Sequence, residues 1–326
     1  MHVYIIRRLL LVIPTVFLTS LVIFFTIRLI PGSIVDIMVA QFGQYANVSR
    51  SDIETKLGLN VPIYTQYGRW IGVVPQADGS FKGVLEGDLG NSLWKRTPVV
   101  DEISARWPVT LELALLGLII GQAIALPIGI YSALRQDTWG DYIARSFAVF
   151  CIAVPGFWLG TIVIVFASIW WGFTQPIMLI PFAADPIGNL KEFIIPAIVL
   201  GMGISGGTMR MTRTMMLEVL RQDYVRTAWA KGLTERVVVM RHALKSALIP
   251  VITIIGMQMP ILIGGEVIIE QIFNLPGMGR LIVTATLDRD YAIVSGVLIL
   301  FAVVMVLINL LVDLTYGYLD PRVVYK

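Results

Sequence analysis

Six stretches of this chain are too long and too apolar for the interior of a small water-soluble fold. They run over about Leu9–Ile30, Pro108–Leu134, Tyr142–Trp171, Ile194–Leu217, Ala247–Phe273 and Ala292–Tyr316. Each is near the ~20 residues an α-helix needs to cross the hydrocarbon of a bilayer. Backbone groups find no water there, so a spanning segment has to satisfy them itself, as a helix does. Composition agrees. Only 14% of residues are charged and the mean hydropathy is +0.79, whereas a soluble chain carries about a quarter charged residues. The expected fold class is an all-α integral membrane protein with six transmembrane helices.

The first run follows Arg7 and Arg8 and ends in Arg28-Leu-Ile-Pro-Gly. A signal peptide has a similar basic start, but its apolar centre is only ~7–15 residues and closes on small residues. The run therefore reads as an uncleaved first span, with Pro14 in its first turns, where a missing N–H matters least. Residues 31–107 are polar, rich in turn residues and mixed in charge. A capping-box pattern, Ser51 to Glu54, predicts a short helix at 51–57.

Charge placement orients the spans. The loop at 172–193 holds one basic residue, Lys191, while 218–246 holds Arg221, Arg226, Lys231, Arg236, Arg241 and Lys245, with His242 beside them. Basic residues favour the cytoplasmic side. Residues 135–141 and 218–246 are then cytoplasmic, 172–193 and 274–291 external, and both termini cytoplasmic. The organisation expected is an N-terminal segment and first span (1–30), an extracytoplasmic segment (31–107), a core transmembrane domain (108–320) and a cytoplasmic tail (321–326).

Several function classes fall away. The chain has no GxxxxGK[ST] phosphate loop, so it is not expected to hydrolyse ATP. No catalytic residues are assigned, because no nucleophile motif is present. One cysteine, Cys151, and two histidines, His2 and His242, make no metal-ligand set. The net charge of +3 comes from cytoplasmic loops rather than a folded basic domain, so no nucleic-acid partner is expected. A secondary transporter usually shows two related halves and mid-membrane charges, and neither is evident. A membrane scaffold or lipid-handling enzyme is the remaining rival, without a catalytic cluster to support the latter.

The most patterned polar stretch is Asp223–Pro250, DYVRTAWAKGLTERVVVMRHALKSALIP. Tyr224, Thr227 and Ala228 share a helical face with Lys231 by their spacing. Gly232 interrupts the pattern where a helix must end or turn. Helical spacing resumes with Val237, Met240, Leu244 and Leu248 along one side. Two readings stay open on pattern alone: a basic loop that only sets topology, or a helix–glycine–helix element presented to a partner.

This stretch resembles the "EAA" loop of ABC importer permeases, in the version of the peptide-type (dipeptide/oligopeptide/nickel) family. Gly232 matches the signature glycine and Ala228 the last alanine of the triplet. Arg226 and Thr227 stand where the general motif has Glu and Ala, a variant the peptide-type subfamily favours. GDLGNSLWKRTPV (87–99), WPVTLELALLGL (107–118), VPGFWLG (154–160), LPGMGR (275–280), RDYAIVSGV (289–297) and LVDLTYGYLDPR (311–322) resemble other landmarks of that family, in order.

The resemblance implies a type I ABC importer permease fold in a bacterial or archaeal cytoplasmic membrane. Tyr224, Arg226, Thr227, Ala228, Lys231, Gly232 and Arg241 would form the coupling surface. Implied partners are a second homologous permease subunit, two ATP-binding subunits that hold ATP and magnesium, an extracytoplasmic solute-binding protein and the lipid bilayer. No cofactor is expected in this chain. Di- or oligopeptides are the implied substrate, with nickel, glutathione, opines and oligosaccharides as alternatives.

The spans suggest further candidates. Gly117 and Gly121 make a small-xxx-small pair where backbones can approach closely. Gly201, Gly203, Ser205, Gly206 and Gly207 thin one side of the fourth span. Glu112, Arg145, Arg210, Arg213 and Asp313 lie mostly near span ends, where snorkelling explains them. Glu266, with Gln258 about two turns deeper, either lines a cavity or bonds a neighbouring helix. Met202 and Met209 either line a tolerant path or fill gaps.

Overall fold

The computed structural model of the chain describes residues 2–29, 35–36, 39, 49–172, 178–265 and 267–319. In order, the elements are α1 (His2–Arg28), α2 (Arg50–Lys56), α3 (Ile63–Ile71), a 3-10 turn (Val84–Glu86), α4 (Val99–Leu134), α5 (Trp139–Ala153), α6 (Gly156–Trp171), α7 (Pro186–Leu220), α8 (Asp223–Ala230), α9 (Glu235–Val237), a π-helical turn (Val238–Ala243), α10 (Leu244–Gly265), α11 (Val267–Ile272), α12 (Met278–Leu287) and α13 (Tyr291–Leu319). The only β pairing among the described residues is an isolated bridge, Asn91 to Pro98.

The all-α membrane architecture stands. Five helical stretches are long and apolar enough to cross a membrane: Arg8–Arg28, Val99–Leu134, Pro186–Leu220, Glu235–Gly264 and Tyr291–Thr315. The run expected at Tyr142–Trp171 is a bent pair, α5 and α6, and counted as one span it is the sixth; the bend is 96°. Its cause is local. Pro155 has no N–H to continue the ladder, and it pushes the preceding residue out of the helical region. Val154 accordingly lies at φ −83, ψ 120.

Two helix starts differ from the run boundaries. Both α1 and α4 begin in polar sequence, at His2 and Val99, so Pro14 and Pro108 lie inside helices instead of near their starts. Apolar run length marks what lipid tolerates, while helix length continues into water until caps or turns stop it.

Contacts divide the chain into two units: one of Met1–Leu9, Pro108–Arg280 and Val304–Lys326, the other of Leu10–Trp107 and Leu281–Val303. In the first unit, α4 and α7 approach closely. A Cβ on Gly201 would stand 2.8 Å from the Gly117 carbonyl oxygen and 2.8 Å from the Gly121 nitrogen. Small residues are what permit this, since helices in lipid gain by tight packing rather than by leaving water. Gly206 likewise meets Ala148 of α5, whereas a Cβ on Gly203 or Gly207 would touch nothing within 4 Å. Asp185 caps α7, accepting from Ile187 N at 3.1 Å and Gly188 N at 3.0 Å, with Pro186 at the first position. Arg8 and Asp313 pair at 2.9 Å.

In the second unit, α2 is capped by Ser49, whose hydroxyl accepts from Asp52 N while the Asp52 carboxylate accepts from Ser49 N. The capping box is therefore Ser49–Asp52 and not Ser51–Glu54. An N-cap must be non-helical, and Ser51 already lies within the helix. Phe24, Tyr67 and Trp70 form an aromatic cluster, and the Ser20 and Tyr67 hydroxyls are 2.8 Å apart. Asp290, buried, holds the 91–98 turn: its carboxylate accepts from Ser92 Oγ at 2.5 Å and from Leu93 N at 3.1 Å.

Candidate functional site

The basic segment after α7 forms the expected helix–glycine–helix element. Gln222 opens α8 with extended torsions, φ −71 and ψ 147, and Gly232 closes it at φ +75. The Gly232 N–H donates to Trp229 O at 2.9 Å, and Thr234 O then accepts from Val237 N and Val238 N at 3.0 Å to start α9. A Cβ on Gly232 would meet nothing within 4 Å. Glycine is required there for its torsion, not for space.

Burial sets the faces of α8. Val225 and Ala228 turn inward onto Val238, with Val219, Leu220 and Leu233 around them. Tyr224, Arg226, Thr227, Lys231, Gly232 and Arg241 face outward. The spacing had placed Ala228 on the face of Tyr224, Thr227 and Lys231; it lies instead on the supporting side, a third of a turn away from Thr227. Arg226 reaches Asp223 at 3.6 Å, but both are so exposed that this pair adds little. The Tyr224 hydroxyl donates to His242 O at 3.4 Å.

The stripe expected on the following helix is also shifted. Val237 and Met240 are exposed, and the inward residues are Val238, Val239, Ala243 and Ala247. The π turn at Val238–Ala243 is the reason. Closing its hydrogen bonds five residues apart inserts extra chain per turn, and this rotates the positions around it.

Of the residues assigned to a substrate pathway, Met209 is buried at 2% exposure among Ala125, Ala148 and Cys151, and Met202 packs against the same cluster. Both fill interior space in this chain. Gln258 binds neighbouring helices: its Oε1 accepts from Gln122 Nε2 at 3.2 Å, and its Nε2 donates to Thr208 Oγ1 at 3.1 Å and Ile204 O at 3.3 Å. Glu266 lies outside the described residues.

Two buried carboxylates in the first unit had no sequence signal. Asp141, fully buried, accepts from Arg213 Nε and Nη2, both at 2.9 Å, from Ser132 Oγ at 2.5 Å and from Asp137 N at 3.0 Å. Arg213 therefore turns inward rather than snorkelling, and ties α7 to the start of α5. A bidentate guanidinium–carboxylate fork fixes both position and angle. Glu270, 1% exposed, accepts from Thr110 Oγ1 at 2.6 Å and from Arg280 N at 3.0 Å, and a side chain at Gly277 would collide with it. Its carboxylate organises the 275–280 turn against α4. Each oxygen of both acids accepts at least one hydrogen bond, which suits them to hold structure rather than to do chemistry. No group of three or more His, Cys, Asp or Glu among the described residues could hold a metal ion.

The second unit contains a cavity of about 870 Å³, lined in part by Phe24, Arg28, Gln66, Trp70, Asp88 and Tyr291. Arg28 stacks over Phe24 at 3.4 Å and donates to Gln66 Oε1 at 2.7 Å.

Residues 125–325 match the family described as binding-protein-dependent transport system inner membrane component, and residues 1–114 match the N-terminal family of such membrane components. The dipeptide transport system permease protein DppB of Escherichia coli strain K12 is 37% identical, covering 99% of each chain. The protein of the same name from Alkalihalophilus pseudofirmus is also 37% identical, covering 100% of each. Among solved structures, the crystal structure of an amino acid ABC transporter with histidines matches with a TM-score of 0.50 at 14% identity, over 68% of this chain and 93% of that one. At that identity the likeness speaks for the fold alone.

Proposed function

This chain belongs to the family of binding-protein-dependent transport system inner membrane components, and from that premise we propose that it carries di- or oligopeptides across the cytoplasmic membrane as one half of an ATP-driven permease. The family and the full-length relatives support a multi-pass permease of an ABC importer. The substrate rests on the relatives' names, since two of them are dipeptide permeases.

In this reading α8 is a coupling helix. Its outward residues Tyr224, Thr227 and Lys231 seat in a groove of an ATP-binding subunit, with Arg226 and Arg241 supplying positive charge at the rim. Ala228 acts from behind, by holding α8 on Val238. ATP and magnesium stay with the two ATP-binding subunits. A second homologous permease subunit completes the pathway, and an external solute-binding protein delivers the peptide. Both termini and the α8 segment face the cytoplasm.

The observation that carries this reading is the α8–Gly232–α9 element: a short helix held by a small apolar contact, with an outward face free to dock. The test is reconstitution in liposomes with ATP-binding subunits, a homologous permease and a solute-binding protein from the same organism. ATP-dependent uptake of a labelled dipeptide is expected. Uptake of nickel or glutathione in place of peptides would move the substrate within the class. Undiminished ATP-dependent uptake after disruption of α8 would remove its coupling role.

A further inference from the structure

The Asp141–Arg213 pair leaves a second arginine with unmet donors. Arg145, one turn along α5 from Asp141, has Nε and Nη2 buried with no hydrogen-bond partner. Its Nε lies 3.5 Å from Asp141 Oδ1, within ion-pair range but without hydrogen-bond geometry. The Asp141 oxygens are already occupied by Arg213, Ser132 and Asp137 N. Arg145 opens onto a small cavity of about 20 Å³, lined also by Ser132, Ala148, Met209, Arg210 and Arg213. A space of that size admits one oxygen atom, not a polyatomic group.

Charge at this end of the helices is unbalanced. Arg145, Arg210 and Arg213 line one small cavity, where Asp141 pairs with Arg145 and Arg213 and Arg210 has no carboxylate within ion-pair distance among the described residues. The flank of α5 beside them is made for lipid. Val149 is 58% exposed and Ile152 48%, one and two turns along α5 from Arg145, and Trp139 at the start of the helix is 83% exposed. Trp139 meets Tyr142 edge-on, and Arg145 stacks over Tyr142 at 4.6 Å. Exposed Trp and Tyr mark the headgroup level of a membrane. Basic pockets between helices at that depth attract anionic headgroups.

We infer that Arg145 and Arg210 hold the phosphate of an anionic phospholipid, one phosphate oxygen entering the cavity beside Arg145 while the acyl chains lie along α5. The shared chemistry is a phosphate anion; a lipid fits better than a free ion because the exposed aliphatic flank of α5, Val149 and Ile152, continues along the helix from Arg145.

The full-length chain would be purified in nanodiscs of phosphatidylcholine alone or with added phosphatidylglycerol. Bound lipid would be read by native mass spectrometry and thermal stability by unfolding midpoint. Phosphatidylglycerol is expected to be retained in preference to phosphatidylcholine and to raise the midpoint. R145Q/R210Q should weaken that retention by roughly tenfold or more, at the strength of two interfacial charges, and R145K/R210K should keep most of it. R210Q alone alters an exposed residue and gives a well-folded intermediate case. Equal retention of the two lipids, or retention unchanged in both R210Q and R145Q/R210Q, overturns the site. Inorganic phosphate at millimolar concentration reproducing the midpoint shift without lipid overturns the lipid assignment.

Discussion

Glycine holds two parts of this molecule for opposite reasons. At the α4–α7 crossing, a Cβ on Gly201 would press on the backbone of Gly117 and Gly121 at 2.8 Å, while the helix torsions are ordinary. At the end of α8, a Cβ on Gly232 would meet nothing, but φ is +75. One site lacks room and the other lacks an alternative conformation. A volume change should therefore be felt at the first and a torsional change at the second, and the two should fail in different assays.

The largest effect is expected from Gly201→Val. Backbone atoms cannot yield as side chains do, so the helices must part, at roughly 1–3 kcal/mol or more. A lower unfolding midpoint and reduced membrane level should appear together; a variant as stable as the parent would mean that the crossing is loose. Gly232→Val comes next. A β-branched residue held at positive φ costs on the order of 1–3 kcal/mol. Because the buried contact of α8 is small, Val225 and Ala228 against Val238, the strain should displace α8 and leave the spans intact. Normal membrane level with weak co-purification of ATPase subunits and lost uptake is the expected pattern. A drop in membrane level matching that of Gly201→Val would erase the contrast.

Gly232→Asn sharpens it further. Asn adopts the left-handed region several-fold more readily than most residues, and Asn274 already does so at φ 56. Uptake should recover to well above the valine variant; equal failure of both would show that the α8 end demands space after all. The smallest effect belongs to Gly203→Ala, on the same helix as Gly201 but facing open space. Its stability should stay within about 0.5 kcal/mol of the parent's. Loss of uptake without loss of stability there would show that this face of α7 is occupied in the working assembly.

These contrasts also separate what the sequence disclosed from what it hid. Run lengths gave the spans, and the Gly117–Gly121 spacing gave a real crossing, because helical period and residue size are local properties. Gly232 was legible for the same reason. Which face of α8 turns inward was not, since Ala228 is fixed by Val238 across a turn. The stripe after it was missed because a π turn leaves no mark in a 3.6-residue period. Asp141 and Arg213 are separated by 72 residues, and each, read alone, looks like an ordinary charge at a span end. Met209 carried no sign of whether its helix face met protein or a passage, and in this chain it is buried beside Ala125, Ala148 and Cys151.

The elbow between α5 and α6 has a consequence for what can surround it. At 1.5 Å per residue, α5 and α6 are each only about 22–24 Å long, short of the ~30 Å of hydrocarbon. Neither crosses alone, so the turn falls at a depth where straight helices still run. Pro155 offers no proton to the carbonyl of Cys151, and Ala153 and Pro155 are exposed on the single chain. Backbone oxygens in that condition are not tolerated against acyl chains. The exposed Val154–Pro155 corner therefore suits water or another polypeptide, which can donate to its carbonyls, better than lipid tails.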